Sequence, residues 1–236
     1  MIAVSSATIT WIAPDPVRLT LAANVNLTIM TTTAAPTPTS PIASRPDFAA
    51  IAAWVQPGAR VLDLGCGDGS LLRYLRNVRN VRGYGVEIDD ANVLGCLNNG
   101  VNVIQSDLES GLSSFESGSF DYVILSQTLQ AMKHTEGIVR EMLRVSKEGI
   151  VSFPNFGYWK NRLQVVFGHM PVSETLPYQW FDTPNIHLCT LGDFEAFCHQ
   201  HGVHILERRV MNGDHQVTLS PNLLGMLAFY RFERQQ

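Results

Sequence analysis

The stretch VLDLGCGDG (61–69) sets one acid, Asp63, directly before three glycines at alternate positions, Gly65, Gly67 and Gly69. Glycine suits positive φ and places where another group lies against the main chain. The dinucleotide fingerprint G-x-G-x-x-G needs a sixth-position glycine, and Ser70 stands there. A phosphate loop needs a Gly-Lys-Ser/Thr ending, and no lysine lies near the turn. Asp63 would repel a phosphate but suits an ammonium or a sulfonium. Two further acids follow. Glu87 closes GYGVE about twenty residues after the loop, where an acid can accept two ribose hydroxyls. Its neighbour Ile88 can pack on a purine face. Asp107 closes VNVIQSD, where it can accept from an exocyclic amine while Leu108 flanks the ring.

The segments around these residues must place them together. RPDFAAIAAWV (45–55) has apolar residues at helical spacing, with Pro46 suited to a first turn and Pro57-Gly58 as a stop. ARVLDLG reads as a buried strand and SLLRYLRNV (70–78) as a helix. GYGVEID (83–89) is a second strand, DANVLGCLNNG (90–100) a helix, and VNVIQSD (101–107) a third strand. SFDYVILSQ (119–127) has the near-continuous apolar run of a parallel strand buried on both faces. A helix over 136–145, a strand over 148–154 and a helix over 191–202 follow. VHILERRVM (203–211) and LLGMLAFYRFER (223–234) read as two last strands, with a turn at Asp214-His215 after Asn212-Gly213. Strands alternating with helices predict an α/β fold: a doubly wound, mostly parallel Rossmann-like sheet. The last two strands, with no helix between them, predict an antiparallel edge.

In that sheet, three acids end three successive strands on the edge where open α/β sheets bind ligands. The ligand this arrangement fits is a nucleoside with a cationic amino-acid tail, S-adenosylmethionine (SAM) or its demethylated product S-adenosylhomocysteine. The competing reading is structural, because acids at strand ends also cap helices, as Asp89 or Asp90 can for the helix after it. Cys66, between the glycines, and Ser126, in LSQTLQAM (125–132), complete the expected cofactor-binding set.

DLGCGDG, GYGVEID and QSDLESGL resemble the first three strand motifs of class I SAM-dependent methyltransferases. A narrower resemblance rests on RPDFAAIAAWV, LSQTLQAM, VSFPNFGYWKNRLQ (151–164), MPVSETLPYQWFDTPNIHLCT (170–190) and DFEAFC (193–198). These are similar to the methionine biosynthesis protein MetW family, over roughly residues 45–234. The resemblance implies a methyltransferase fold without an established methyl acceptor. It also implies association with homoserine O-acyltransferase, which in some bacteria needs such a protein for activity.

The segment 154–189 separates a strand from the next helix by far more than the usual connection of about 2–6 residues. It carries Phe156, Tyr158, Trp159, Phe167, Tyr178, Trp180 and Phe181, just after Phe153. Three roles fit: a roof over an acceptor pocket, a partner-binding surface with aromatic anchors, or a subdomain with its own aromatic core. Catalytic side chains are not singled out. Tyr158, His134, His187 and Asp182 are each able to face a pocket, and no Asn-Pro-Pro-Tyr/Phe motif follows the fourth strand. CHQHGVH (198–204) lacks a full zinc ligand set and reads as a helix end.

Apolar residues are 45% of the 236, enough for a sizeable core, and a net charge of −4 with no long basic run argues against a nucleic-acid surface. No apolar run approaches the roughly 20 residues that span a bilayer. Cys66, Cys96, Cys189 and Cys198 form no CxxC pair, and reduced thiols in a cytoplasmic protein are expected. Residues 1–44 carry only Asp15 and Arg18 as charges and include TTTAAPTPTSP, so a disordered extension is expected before a domain over 45–236. A secretory signal fits poorly there, since no Lys or Arg opens the chain and Pro14 and Pro16 interrupt its apolar part. Met30 offers an alternative start.

Overall fold

The computed structural model describes residues 28–30 and 45–235. In chain order the elements are β1 (Thr28–Met30), α1 (Pro46–Ala52), β2 (Arg60–Leu64), α2 (Ser70–Arg79), β3 (Arg82–Glu87), α3 (Asp90–Asn98) and β4 (Val103–Gln105). Then come β5 (Phe120–Ser126), α4 (Thr135–Val145), β6 (Ser146–Pro154), α5 (Trp159–Val166) and α6 (Leu191–Gln200). The chain closes with β7 (Val203–Asn212), β8 (His215–Gln216), α7 (Pro221–Leu224) and β9 (Leu227–Arg234).

The strands form one sheet in the order β1-β4-β3-β2-β5-β6-β9-β7-β8. Pairing is parallel from β4 through β3, β2 and β5 to β6. β9 is antiparallel to both β6 and β7. The last long strand therefore slots inside the sheet rather than lying at its edge. Its start also differs from the sequence reading: Leu223 and Leu224 belong to the short helix α7, and the strand begins at Leu227. Pro221 fixes φ for a helical first turn, which takes those leucines out of the strand. Asn212-Gly213 does turn, with Gly213 at φ 56°, but His215 then pairs back onto Asn212 as part of β8. The extension expected over 1–44 lies outside the described residues, apart from the triplet β1. That triplet pairs antiparallel with β4. Three residues are too few to show an alternation in sequence, which is why this strand was not expected.

Two apolar layers cover the sheet. Val61, Val103, Ile124 and Ile150 face a layer containing α1, α2 and α3. Leu62, Leu64, Val86, Val123, Val151 and Phe153 face the layer of α4 and α6. The two-residue period of β2 thus puts Asp63 on the same face as Val61. The parallel strands β2 to β6 all end on one sheet edge, and Asp63, Glu87, Asp107 and Ser126 lie at or just past those ends.

Candidate functional site

The three glycines of the loop are all at positive φ: 65° for Gly65, 56° for Gly67 and 76° for Gly69. Their reasons for lacking a side chain differ. A Cβ on Gly65 would sit 2.8 Å from the Thr128 side chain, and one on Gly69 would sit 3.1 Å from Cys96 and Val101. A Cβ on Gly67 would meet nothing within 4 Å. The outer glycines are therefore demanded by packing and backbone, whereas the middle one faces open space. That is the place where a ligand can reach main chain.

Below the loop, the backbone is held by side chains. Glu87 Oε2 accepts from the Gly67 N–H at 2.8 Å, and its Oε1 accepts from the N–H of Ile88 and Asp89 at 2.8 and 3.0 Å. The acid that sequence reasoning places at a ribose is thus also the clamp between the end of β3 and the loop. The Cys96 thiol donates to the Gly67 carbonyl at 3.1 Å and lies 3.6 Å from the Cys66 sulfur. Cys66 fits there because Gly85, opposite Asp63 in β3, has no Cβ; one would stand 2.2 Å from the sulfur. Sequence spacing gave no sign that Cys66 and Cys96, thirty residues apart, share one layer. Their contact, burial and the nearby Asp63 carboxyl push the Cys66 thiol upward, so it stays protonated.

Asp63 is buried and has no side-chain hydrogen bond among the described residues. Burial, reinforced by Glu87, pushes its carboxyl from 3.8 up to about 8. A buried acid repelled by a second acid is poised for a cationic neighbour. Ile88, next to Glu87 in sequence, is 60% exposed, unusual for a large apolar side chain at a strand end. Asp107 is exposed, and its Oδ1 caps the short turn 108–110 by accepting from the Glu109 N–H at 2.9 Å. The structural role weighed for strand-end acids is real here, and it leaves the other carboxylate oxygen without a partner among the described residues. Leu108 is half-buried against the core. Ser126 Oγ lies 3.0 Å from Ser152 Oγ, tying the ends of β5 and β6.

The residue after Ser126 escaped the sequence reading. Gln127 has φ 53°, a left-handed conformation that non-glycine residues rarely adopt. The Ser152 carbonyl and hydroxyl both accept from its N–H, at 2.9 and 3.1 Å. The sharp turn brings Thr128 back against Gly65. Glycine would have flagged such a turn in sequence; glutamine does not.

Of the four unranked candidates, His134 and His187 line a cavity of about 680 Å³ beside the insert 154–189. Tyr158 is buried at the start of α5, and Asp182 accepts from the Gln179 N–H. The aromatics of the insert divide sharply. Tyr158 is buried, but Phe167, Trp180 and Phe181 are 73%, 72% and 69% exposed. A subdomain with its own aromatic core is therefore not what this segment builds.

The model of the family described as "Methionine biosynthesis protein MetW" matches residues 45–232. The chain belongs to the MetW family. A bifunctional methionine biosynthesis protein MetXA/MetW from Rhodopirellula baltica is 35% identical over 195 residues, covering 77% of this chain and 31% of that protein. A sterol 24-C-methyltransferase from Schizosaccharomyces pombe is 28% identical over 46% of this chain and 30% of its own length. The chain thus spans less than a third of either relative. Among solved structures, a SAM-dependent methyltransferase from Mesorhizobium loti superposes with TM-score 0.61 at 17% identity, covering 80% of this chain and 98% of that one. The [4+2]-cyclase SpnF superposes with TM-score 0.57 at 17% identity, covering 80% of each chain. These likenesses show that this MetW-family chain has the class I methyltransferase fold. No helix among its described residues is long and apolar enough to cross a membrane.

Proposed function

We propose that this chain binds SAM or S-adenosylhomocysteine at the Gly65–Gly69 loop and acts as an accessory subunit of homoserine O-acyltransferase. The observation that carries the accessory role is the bifunctional relative, which unites a MetXA part and a MetW part in one chain. We read its MetXA part as the acyltransferase that the family resemblance implies. Two activities joined in one polypeptide in one organism favour contact between separate chains in another. The exposed Val166, Phe167, Trp180 and Phe181 offer the surface for it. Trp180 and Phe181 pack edge-on with ring centroids 5.7 Å apart, and contiguous exposed apolar groups mark interaction sites.

The residues present fit the nucleoside. Open space at Gly67 admits a ligand against the main chain, and the buried Asp63, without a hydrogen-bond partner among the described residues, suits the cationic end. Glu87 has lone pairs left for ribose hydroxyls, Ile88 offers an exposed apolar face, and Asp107 has one carboxylate oxygen without a partner among the described residues. Cys66 and Ser126 contribute by packing the loop and the β5 end. SAM, when bound, supplies an electrophilic methyl group on a sulfonium. Methyl transfer to a small-molecule acceptor is the second reading, favoured by the cavity of about 680 Å³ beside the insert. The fold alone does not decide between them, since a cyclase shares it.

The ligand half of the proposal has a pH signature. Asp63 is raised, so in the ligand-free protein it keeps its proton up to about pH 8. A cationic ligand favours the carboxylate, and binding below that pH releases a proton. S-adenosylhomocysteine affinity is expected to climb from about pH 6 to about pH 8 and then level off, following the Asp63 shift. The ligand's own amino group titrates too, so the comparison is with Asp63→Asn, which should lose the Asp63 share. The same substitution should raise the melting temperature at pH 8. The raised carboxyl contributes stability below its unfolded value near 3.8, and that stability is lost as pH rises to about 8. Calorimetry in buffers of different ionisation heat reads the released proton. Identical proton release by wild type and Asp63→Asn would contradict the assignment.

A further inference from the structure

The cavity of about 680 Å³ is a separate site: none of Asp63, Gly67, Glu87 and Asp107 lines it. Its apolar walls come from Leu129, from Phe153 at the end of β6, and from Phe194 and Phe197 of α6. From the insert, the buried Leu176 and the exposed Leu188 also line it. Size and lining match small-molecule pockets, which run about 300–1,000 Å³ with mainly apolar walls and few polar groups.

The lining carries two cations, Lys133 and Arg140, and two acids, Glu136 and Asp193, and of these four Lys133 is the one whose side chain is not engaged among the described residues. Asp193 is engaged, accepting from the N–H and hydroxyl of Thr190 at the start of α6. Glu136 lies 3.8 Å from Arg140 and 3.7 Å from His201. Lys133 is an exposed part of the lining, with no ion-pair partner among the described residues. Next to it, Thr135 and Gly137 line the wall in the first turn of α4, whose N-cap His134 makes no side-chain hydrogen bond. Gln130 also lines the cavity, and its Oε1 is buried with no hydrogen-bond partner among the described residues.

We propose that this cavity binds a small carboxylate with an apolar body and a hydroxyl or amine donor. The carboxylate sits at Lys133, the apolar body lies against Phe153, Phe194 and Phe197, and the donor satisfies Gln130. Thr128, which packs on Gly65, directly precedes Leu129, so this site and the glycine loop share one connecting segment.

The test uses 2-hydroxy-3-phenylpropanoate and its neutral amide as probes, titrated by calorimetry into the full chain. Wild type should bind the hydroxy acid at least about tenfold more tightly than the amide, a step of one decade in Kd. Lys133→Glu should remove that preference, and Leu188→Trp, which adds bulk to the lining, should remove binding of both probes. Both variants should keep the wild-type melting temperature and S-adenosylhomocysteine affinity. A wild type that binds neither probe in the millimolar range, or both equally, overturns the proposal. So do variants that bind like wild type. The S-adenosylhomocysteine titration on the same samples reads the glycine loop separately, so the failure of one site is distinguishable from failure of the other.

Discussion

Gly67→Val is expected to abolish SAM and S-adenosylhomocysteine binding while the sheet stays folded. Two facts support the separation. Gly67 has φ 56°, and a side chain there would point into space holding no atom within 4 Å. A left-handed conformation costs an L-residue roughly 1–2 kcal/mol, and a β-branched one more, which a chain of this size can absorb. The ligand cannot be absorbed in the same way, because the valine would stand where it must approach the loop. Gly67→Ala should fold with less strain and show a partial loss. Gly65→Ala and Gly69→Ala make the control. Their Cβ atoms would meet Thr128 at 2.8 Å and Cys96 with Val101 at 3.1 Å, so melting temperature should fall first. Glu87→Ala is a blunter probe, for it would remove the clamp on the Gly67 N–H together with any ribose contact. If Gly67→Val melts normally and binds normally, the loop is not the ligand site.

The second large effect concerns the partner surface. Trp180→Ala should weaken association with the acyltransferase by about 2 kcal/mol or more, the usual size for an interfacial tryptophan anchor. That is roughly a thirtyfold rise in Kd. Trp180 is 72% exposed and packs edge-on with Phe181, centroids 5.7 Å apart, so its removal should barely change stability. It does not line the cavity lined by Leu176 and Leu188, so probe binding there should also persist. A pull-down, a thermal melt and a S-adenosylhomocysteine titration on Trp180→Ala check all three. A stable variant that still binds the acyltransferase at full strength would show that the aromatics serve something else.

Much of the fold was legible because its signals are local. Val61 and Leu62 alternate between two apolar layers, glycines and asparagines stop the helices, and each βα repeat announces a parallel strand. What was not legible depends on contacts distant in sequence. β9 enters between β6 and β7 because its partners lie on both, and nothing in its own residues says so. At the site, Asp63, the glycines and Glu87 were visible as types at a spacing. The clamp of Glu87 on Gly67, the meeting of Cys66 with Cys96 and the left-handed Gln127 were not, since each is a tertiary arrangement without a composition signal. The aromatic segment was visible as unusual, but only burial separates the core residue Tyr158 from the exposed Trp180 and Phe181.

In the proposed accessory role, this chain makes a homoserine O-acyltransferase work. The direct measurement is homoserine acylation by the purified cognate acyltransferase, assayed alone, with this protein, and with Trp180→Ala at limiting concentration. The account predicts weak acylation by the enzyme alone, strong acylation with the wild-type chain, and a return toward the lone-enzyme rate with Trp180→Ala. Equal rates in all three would contradict it.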